Sequence, residues 1–488
     1  MGVQGRGTGI RLGVWVFVEA MTALTDKTAA EGDAALQADL LVIGFGKGGK
    51  TLASALGRKG QRVVLVEQSD QMYGGTCINI GCVPTKALVH RSGERPGADD
   101  PAVWFEKNAR DVQDLTAFLN QKNYAMLDGI DTVTVVTGKA RFLGPETVEV
   151  RAGDDRLLVS AGAIVVNTGA VPVVPPIPGL RESAHLATST DLLRGTELPR
   201  HLAVIGGGPL GLEFAQMYRR FGSEVTVLES SPRLAGREDD DIAGTLAAIL
   251  TGDGIRVVTG ASVTEVEDTE GGAIVRYEIE GTKGEVLVDR VLAATGRRPA
   301  TNGLGLDAAG VELTERGAIA VDEHLRASNP RVFAIGDVNG GPQFTYISLD
   351  DHRIVADQLV GSGRRSTADR RAVPTTTFIT PPLSTVGLTE KAAREAGHNV
   401  KVAAKPVAQI AAMPRARIVG ETRGLFKVVV DADTDLVLGA ALLGTDSQEM
   451  INTIALAIRH DVTATELRDA IYTHPSATEA LNEVLGLL

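Results

Sequence analysis

A chain of 488 residues exceeds what one hydrophobic core supports and sets an expectation of about three domains. A formal net charge of −12 argues against a nucleic-acid or anionic-membrane partner. Two cysteines in so long a chain exclude a secreted scaffold built on disulfides, and no apolar run approaches the ~20 residues that cross a bilayer.

At the N-terminus, Arg11 precedes a short apolar stretch, Leu12 to Val18, which ends at Glu19 and gives way to polar, alanine-rich sequence. The stretch is too short for a secretory signal. Residues 1–37 are therefore expected to be a disordered extension, with Met21 an alternative start, on a cytoplasmic protein. Next, Asp39 to Ile43 is a buried-strand run that passes into Gly44-Phe45-Gly46-Lys47-Gly48-Gly49. Helical patterning follows to Leu56, then a second apolar run, Gln61 to Glu67, ends in an acid. Strand, glycine turn, helix and acid-tipped strand form the Rossmann pattern, in which backbone N–H groups at the helix start hold a pyrophosphate.

Cys77 and Cys82 follow, five apart, in Gly74-Gly75-Thr76-Cys77-Ile78-Asn79-Ile80-Gly81-Cys82. In a regular helix their Cα atoms would be roughly 8–9 Å apart, whereas a disulfide tolerates about 4.4–6.8 Å. If they bridge, the backbone between them bends, and Gly81 is placed to allow it. A dithiol beside a nucleotide site suggests electron transfer from that nucleotide to an outside acceptor.

A helix over 101–127 and strands over 131–150 come next, then an apolar strand from Ala163 and a proline-rich linker from Val171 to Gly179. The nucleotide unit then recurs: His201 to Ile205, Gly206-Gly207-Gly208-Pro209-Leu210-Gly211, a helix, and Glu224 to Glu229. A carboxylate at Glu229 favours NADH over NADPH by repelling the extra phosphate, although Arg233 lies near enough in sequence to help one. Asp289 to Pro299 closes that unit, and Arg331 to Asp337 delivers another acid at a strand end. Beyond Gly363, strands at 425–430 and 437–443 and helices at 447–459 and 475–485 predict a separate α+β domain.

Together these motifs resemble the flavin-dependent pyridine nucleotide–disulfide oxidoreductases, and more narrowly the branch associated with reactive-chlorine resistance and hypothiocyanous acid reduction. Phe45 to Thr51, Met72 to Cys82 and Gln343 to Asp351 carry the narrower likeness. The resemblance implies an α/β fold: an FAD domain in two parts, 38–170 and 289–363, an NAD(P)H domain over 171–288 and a dimerisation domain over 364–488. It implies a homodimer with a composite active site, FAD, and NADH or NADPH.

Residue by residue, the resemblance assigns Gly44, Gly46, Gly49, Glu67, Gly75, Thr76, Gly169 and Asp337 to FAD. Gly206, Gly208, Gly211, Glu229 and Gly296 go to the nicotinamide nucleotide. Lys86 and Glu213 match a pair near the reactive flavin edge. Cys82 would face the flavin, and Cys77 would meet the substrate. His474 and Glu479 would be the acid–base pair supplied by the second subunit. No residue cluster suggests a metal site. The implied activity is reduction of a small-molecule oxidant such as hypothiocyanous acid, with copper(II) as a second acceptor. Dihydrolipoamide dehydrogenase and a redox-sensing flavoprotein without turnover are the rival readings.

Overall fold

The computed structural model describes residues 35–94, 97 and 100–488. The N-terminal expectations up to residue 34, including the apolar stretch and the alternative start at Met21, lie outside the described residues. Leu36 and Gln37, expected in the extension, instead open the first strand, Leu36–Ile43, opposite Val159 and Ser160. Leu36 packs against the core of this part of the chain, which is why the strand starts there.

The chain forms two compact units. The first contains the described residues up to Pro84 with Asp111–Pro172 and Arg297–Asp369. Its mixed sheet runs Val133–Thr137, Val63–Glu67, Leu36–Ile43, Asp155–Val166, Thr147–Ala152, Lys139–Phe142; the first four strands are parallel, the last two join antiparallel, and Val332–Ala334 pairs parallel with Asp155–Val166. Leu40 to Ile43 are buried on both faces, as the uninterrupted apolar run requires of a central parallel strand. Helix Lys47–Gly57 lays Leu52, Ala53 and Leu56 against Leu40, Val42 and Leu65. Between strand and helix, Gly44 turns at φ +103°, and a Cβ there would stand 2.4 Å from the Asn167 carbonyl oxygen. Only glycine satisfies both conditions.

The second unit contains the described residues of Thr85–Arg110 with Val173–Gly296 and Arg370–Leu488. Its parallel sheet runs Arg256–Thr259, Glu224–Glu229, His201–Ile205, Arg290–Ala293, Leu186–Ala187. An antiparallel meander, Ser262–Thr269, Gly272–Ile279 and Thr282–Val288, lies in sequence between Arg256–Thr259 and Arg290–Ala293. The C-terminal α+β part is a five-stranded antiparallel sheet from Thr375–Thr377 to Val437–Leu443, with helix Ser447–Arg459 against it.

Four differences from the sequence reading have physical causes. Strand Arg290–Ala293 pairs with His201–Ile205, so the chain returns to the first unit at Arg297, not at 289. Residues 85–110 sit with the second unit because Phe105, fully buried, packs on Tyr218 and Phe221 with ring centroids 5.4 and 5.0 Å apart. The C-terminal part and the second nucleotide sheet fall within one compact unit. Buried Lys427 holds them together, reaching Asp239 and Asp241 at 3.0 Å and Glu390 at 2.9 Å. The predicted 475–485 helix is confined to Ala480–Val484 and a 3-10 turn, Leu485–Leu487. Glu479 Oε1 accepts the Ser476 amide at 2.9 Å, holding the preceding residues in a turn.

Candidate redox-active dithiol site

Cys77 lies in helix Gly75–Asn79, which ends at Ile80, and Cys82 opens a new helix, Cys82–Ser92. The bend expected from the spacing is therefore a break between two helices. Gly81 permits it by close approach: a Cβ there would be 2.9 Å from the Thr76 carbonyl oxygen. Asn79 secures the short helix by donating to Tyr73 O at 3.0 Å and Gly75 O at 2.9 Å, and its Oδ1 accepts from Asn120 at 3.0 Å.

Across the break, the two free thiols come within hydrogen-bonding reach of each other. Thr345 Oγ1 lies 3.5 Å from Cys82 Sγ. Cys82, hydrogen-bonded beside it, and burial push the Cys77 thiol far above the usual range, while Thr345 and Lys50 oppose them. Lys50 is buried, with its Nζ donating a short hydrogen bond to Asn123 Oδ1. Burial and then Lys47 push Lys50 down to about 8, against the pull of Cys77.

The first glycine loop is anchored by side chains that no local pattern announces. Asn167 Oδ1 accepts the Gly49 amide at 2.9 Å, and Ser348 Oγ accepts the Gly48 amide at 3.1 Å. Gly46 caps helix Lys47–Gly57 with no side-chain hydrogen bond of its own, while Ser348 and Asn167 already take the Gly48 and Gly49 amides of the first turn. Glu67 Oε2 accepts the Phe45 amide at 3.0 Å, and burial pushes this carboxyl up to about 7. Gly75 approaches Gly46 so closely that a Cβ would be 2.8 Å from its Cα, and Gly169 turns at φ +71° with a Cβ position 4.0 Å from Thr76 Oγ1. Asp337, half-buried in the turn Gly336–Asn339, is pushed up by burial and pulled down by Arg297. A glycine-built helix start with its positive dipole end, and a buried strand-end acid, fit a dinucleotide such as FAD.

The second loop has the same plan. Glu229 accepts the Gly207 amide at 2.6 Å and the Ser231 amide at 2.7 Å. Burial acts upward on this acid, but those two bonds hold it below the usual carboxylate range. Gly208 caps helix Pro209–Phe221 without a side-chain bond, and a Cβ on it would point into open space. Gly211 packs that helix against Gly206, and Gly296 O accepts the Val173 amide at 3.0 Å. A cleft of 260 Å³ opens beside Gly206, Leu228, Ser230 and Thr295. Arg233 is engaged by Asp240 and by the carbonyls of Gly236 and Glu238. These features fit a nicotinamide nucleotide.

Two further predicted pairs form as pairs. Lys86 Nζ meets Glu213 Oε2 at 2.7 Å, and His474 Nδ1 meets Glu479 Oε2 at 2.9 Å. Phe378, whose amide donates to Glu213 Oε1 at 2.8 Å, was not read as a site residue in the sequence, nor were Thr345, Asn167 and Ser348. Among the described residues no group of three His, Cys, Asp or Glu side chains could hold a metal ion, and no helix is long and apolar enough to cross a membrane.

The pyridine nucleotide-disulphide oxidoreductase profile matches residues 38–351, and the dimerisation-domain profile of the same family matches residues 373–485. The chain is 44% identical to the probable pyridine nucleotide-disulfide oxidoreductase RclA of Escherichia coli strain K12, over 92% of this chain and 98% of that protein. A solved structure, the Cu(II) complex of HOCl-induced flavoprotein disulfide reductase RclA from Escherichia coli, matches with a TM-score of 0.88. It covers 93% of this chain and 99% of that one, at 44% identity. Mercuric reductase of Staphylococcus aureus is 35% identical over 91% of this chain and 81% of that protein. Dihydrolipoyl dehydrogenase of Thermus scotoductus is 36% identical over 92% and 97%. Likeness at this level over nearly the whole length carries the cofactors with it, FAD and NADH or NADPH. The chain belongs to the pyridine nucleotide-disulphide oxidoreductase family and is an NAD(P)H-dependent flavoprotein disulfide reductase with that family's dimerisation domain.

Proposed function

We propose that this enzyme reduces a small oxidant at the Cys77–Cys82 pair, with hypothiocyanous acid the leading substrate. One observation carries the reading: the chain's only two cysteines meet across a helix break, with Thr345 beside both. When bound, FAD supplies the two-electron exchange between the nicotinamide hydride and the cysteine pair. The chain's own groups do the rest. As thiolate, Cys77 attacks the sulfur of hypothiocyanous acid, forming a Cys77 sulfenyl thiocyanate and expelling hydroxide, which leaves as water with a proton from His474. Cys82 then attacks Cys77 sulfur, releases thiocyanate and a proton, and closes the disulfide. NADH returns two electrons to the pair. The sum is NADH and hypothiocyanous acid giving NAD⁺, thiocyanate and water.

Gly44, Gly46, Gly49, Glu67, Gly75, Thr76, Gly169 and Asp337 would hold FAD. Gly206, Gly208, Gly211, Glu229 and Gly296 would hold the nicotinamide nucleotide, with Lys86 and Glu213 at the reactive flavin edge. Glu229 with Arg233 already engaged favours NADH. The active site is composite in a homodimer, His474 and Glu479 coming from the second copy. Copper(II) is a further acceptor, suggested by the copper complex of the Escherichia coli relative, and it would meet the thiols themselves. A pair re-reduced by NADH at every turnover suits the cytoplasm.

The competing reading as dihydrolipoamide dehydrogenase rests on the similarity to the Thermus enzyme. Stopped-flow reduction by NADH, followed by a panel of hypothiocyanous acid, copper(II) and dihydrolipoamide with NAD⁺, separates them. Turnover with hypothiocyanous acid is expected, and Cys77→Ser abolishes it while flavin bleaching by NADH persists. Surviving turnover in Cys77→Ser would remove the dithiol from the reaction. Bleaching without turnover on any oxidant would leave a redox sensor.

A further inference from the structure

Lys50 has no role in the chemistry above, yet its placement is unusual. It is the fourth residue of helix Lys47–Gly57 and only 6% exposed. A buried lysine ordinarily has a carboxylate partner. Among the described residues Lys50 has none; its hydrogen-bond acceptor is the neutral amide oxygen of Asn123. The charged and titratable groups that face it are Lys47, a like charge on its own helix, and Cys77 on the short helix above. Those facing Cys77 are Cys82 and Lys50, with the hydroxyl of Thr345.

The packing that brings them together is built in. Gly75 lies against Gly46, where a Cβ would be 2.8 Å from the Gly46 Cα, and a Cβ on Gly74 would be 3.1 Å from Asn123 Cγ. Two side-chain-free residues thus lay the start of the Cys77 helix directly over the first turn that carries Lys50 and over the residue that holds its ammonium. A permanent carboxylate partner would cancel the field of this ammonium at Cys77; a neutral amide aims the ammonium and leaves its charge available.

We propose that Lys50 is the fixed cation that stabilises the Cys77 thiolate, a positioning residue for attack on the oxidant. The proposal rests on the dithiol reading above and deepens it. In the reduced enzyme the thiolate is the counter-charge that Lys50 otherwise lacks, so thiolate and ammonium stabilise each other. This opposes the effects of Cys82 and burial, which favour the neutral thiol. Lys50 thereby raises the fraction of Cys77 present as nucleophile at neutral pH.

The test is the pH profile of Cys77 alkylation by iodoacetamide in the NADH-reduced holoenzyme, read by mass spectrometry of the Cys77 peptide. In Lys50→Met, with FAD content verified by absorbance, the alkylation midpoint should rise by about 1–2 pH units, the range expected when one nearby opposite charge is removed. Below both midpoints each unit is a tenfold loss of rate. Lys50→Arg, which keeps the charge, should recover part of the shift. An unchanged midpoint in Lys50→Met overturns the proposal, because a merely structural lysine would not move it. If Lys50→Met loses FAD, Lys50→Gln, which keeps a donor for Asn123, decides by the same readout. Failure of NADH to release any alkylatable Cys77 in the wild type would instead count against the dithiol reading.

Discussion

Lys86 Nζ sits 2.7 Å from Glu213 Oε2, while the other oxygen of the same carboxylate accepts the Phe378 amide at 2.8 Å. The Lys86 ammonium also lies 5.0 Å from the centroid of the Phe378 ring. One buried acid therefore fixes both the lysine and the backbone beneath it. Glu213→Gln keeps an acceptor for the amide and loses the charge, whereas Glu213→Ala loses both. The alanine variant should be less stable than the glutamine variant by about 1–3 kcal/mol, the cost of an unpaired buried donor. Thermal unfolding of the two holoenzymes checks this, and equal destabilisation would show that the Phe378 bond carries nothing. Flavin reduction by NADH should slow in both, because Lys86 loses its orienting partner.

What the sequence disclosed follows how local each signal is. Leu40 to Ile43 running into Gly44, and His201 to Ile205 running into Gly206, are strand-turn-helix signals contained within a dozen residues, and both fold as expected. The Cys77–Cys82 break was legible in part for the same reason, since the spacing requires a bend if the two are to bridge and Gly81 is placed to allow it. Asn167, Ser348 and Thr345 were not legible as site residues. They reach the glycine loop and Cys82 from 118, 300 and 263 positions away, where no periodicity connects them. Lys50 reads as one more polar residue on an amphipathic helix until the helix above covers it. The overlong helix at 475–485 failed because its apolar spacing is real, but Glu479 is drawn back onto Ser476 and His474.

Glu67 gives the first nucleotide loop a pH dependence of defined sign. Its ordinary value is 4.5, and burial pushes it up to about 7 in the folded chain, despite amide bonds that act the other way. Between these values the unfolded chain ionises while the folded chain keeps the proton, so this group's contribution to stability falls as pH rises and levels off above about 7. A ribose donating its hydroxyls to the carboxylate favours the ionised form and displaces that proton. FAD affinity should therefore increase with pH up to about 7, by at most about tenfold per unit. In Glu67→Gln the affinity should be weaker and flat with pH. Titrating FAD by flavin fluorescence between pH 5.5 and 8 reads both slopes, and a wild-type slope retained in the glutamine variant would assign the effect elsewhere.

His474 and Glu479 make the sharpest claim about the oxidant half of the cycle. A carboxylate oxygen only accepts, so the 2.9 Å contact makes Nδ1 the donor and leaves Nε2 as the atom able to give a proton away. Burial acts upward on Glu479, but the bonds from His474 and the Ser476 amide hold it below the usual carboxylate range. It is thus ionised across neutral pH and orients the imidazole through Nδ1. Removing the imidazole in His474→Ala should slow oxidant turnover by about 10²–10⁴-fold, the usual worth of a positioned acid–base group. Glu479→Gln should act more weakly, because an amide oxygen still accepts from Nδ1 while the negative charge beside the ring is lost. Flavin reduction by NADH should be unaffected in both variants, since neither residue takes part in that half. Unchanged oxidant turnover in both variants would make the pair a structural clasp on the chain's last turns and leave the proton to be delivered by water.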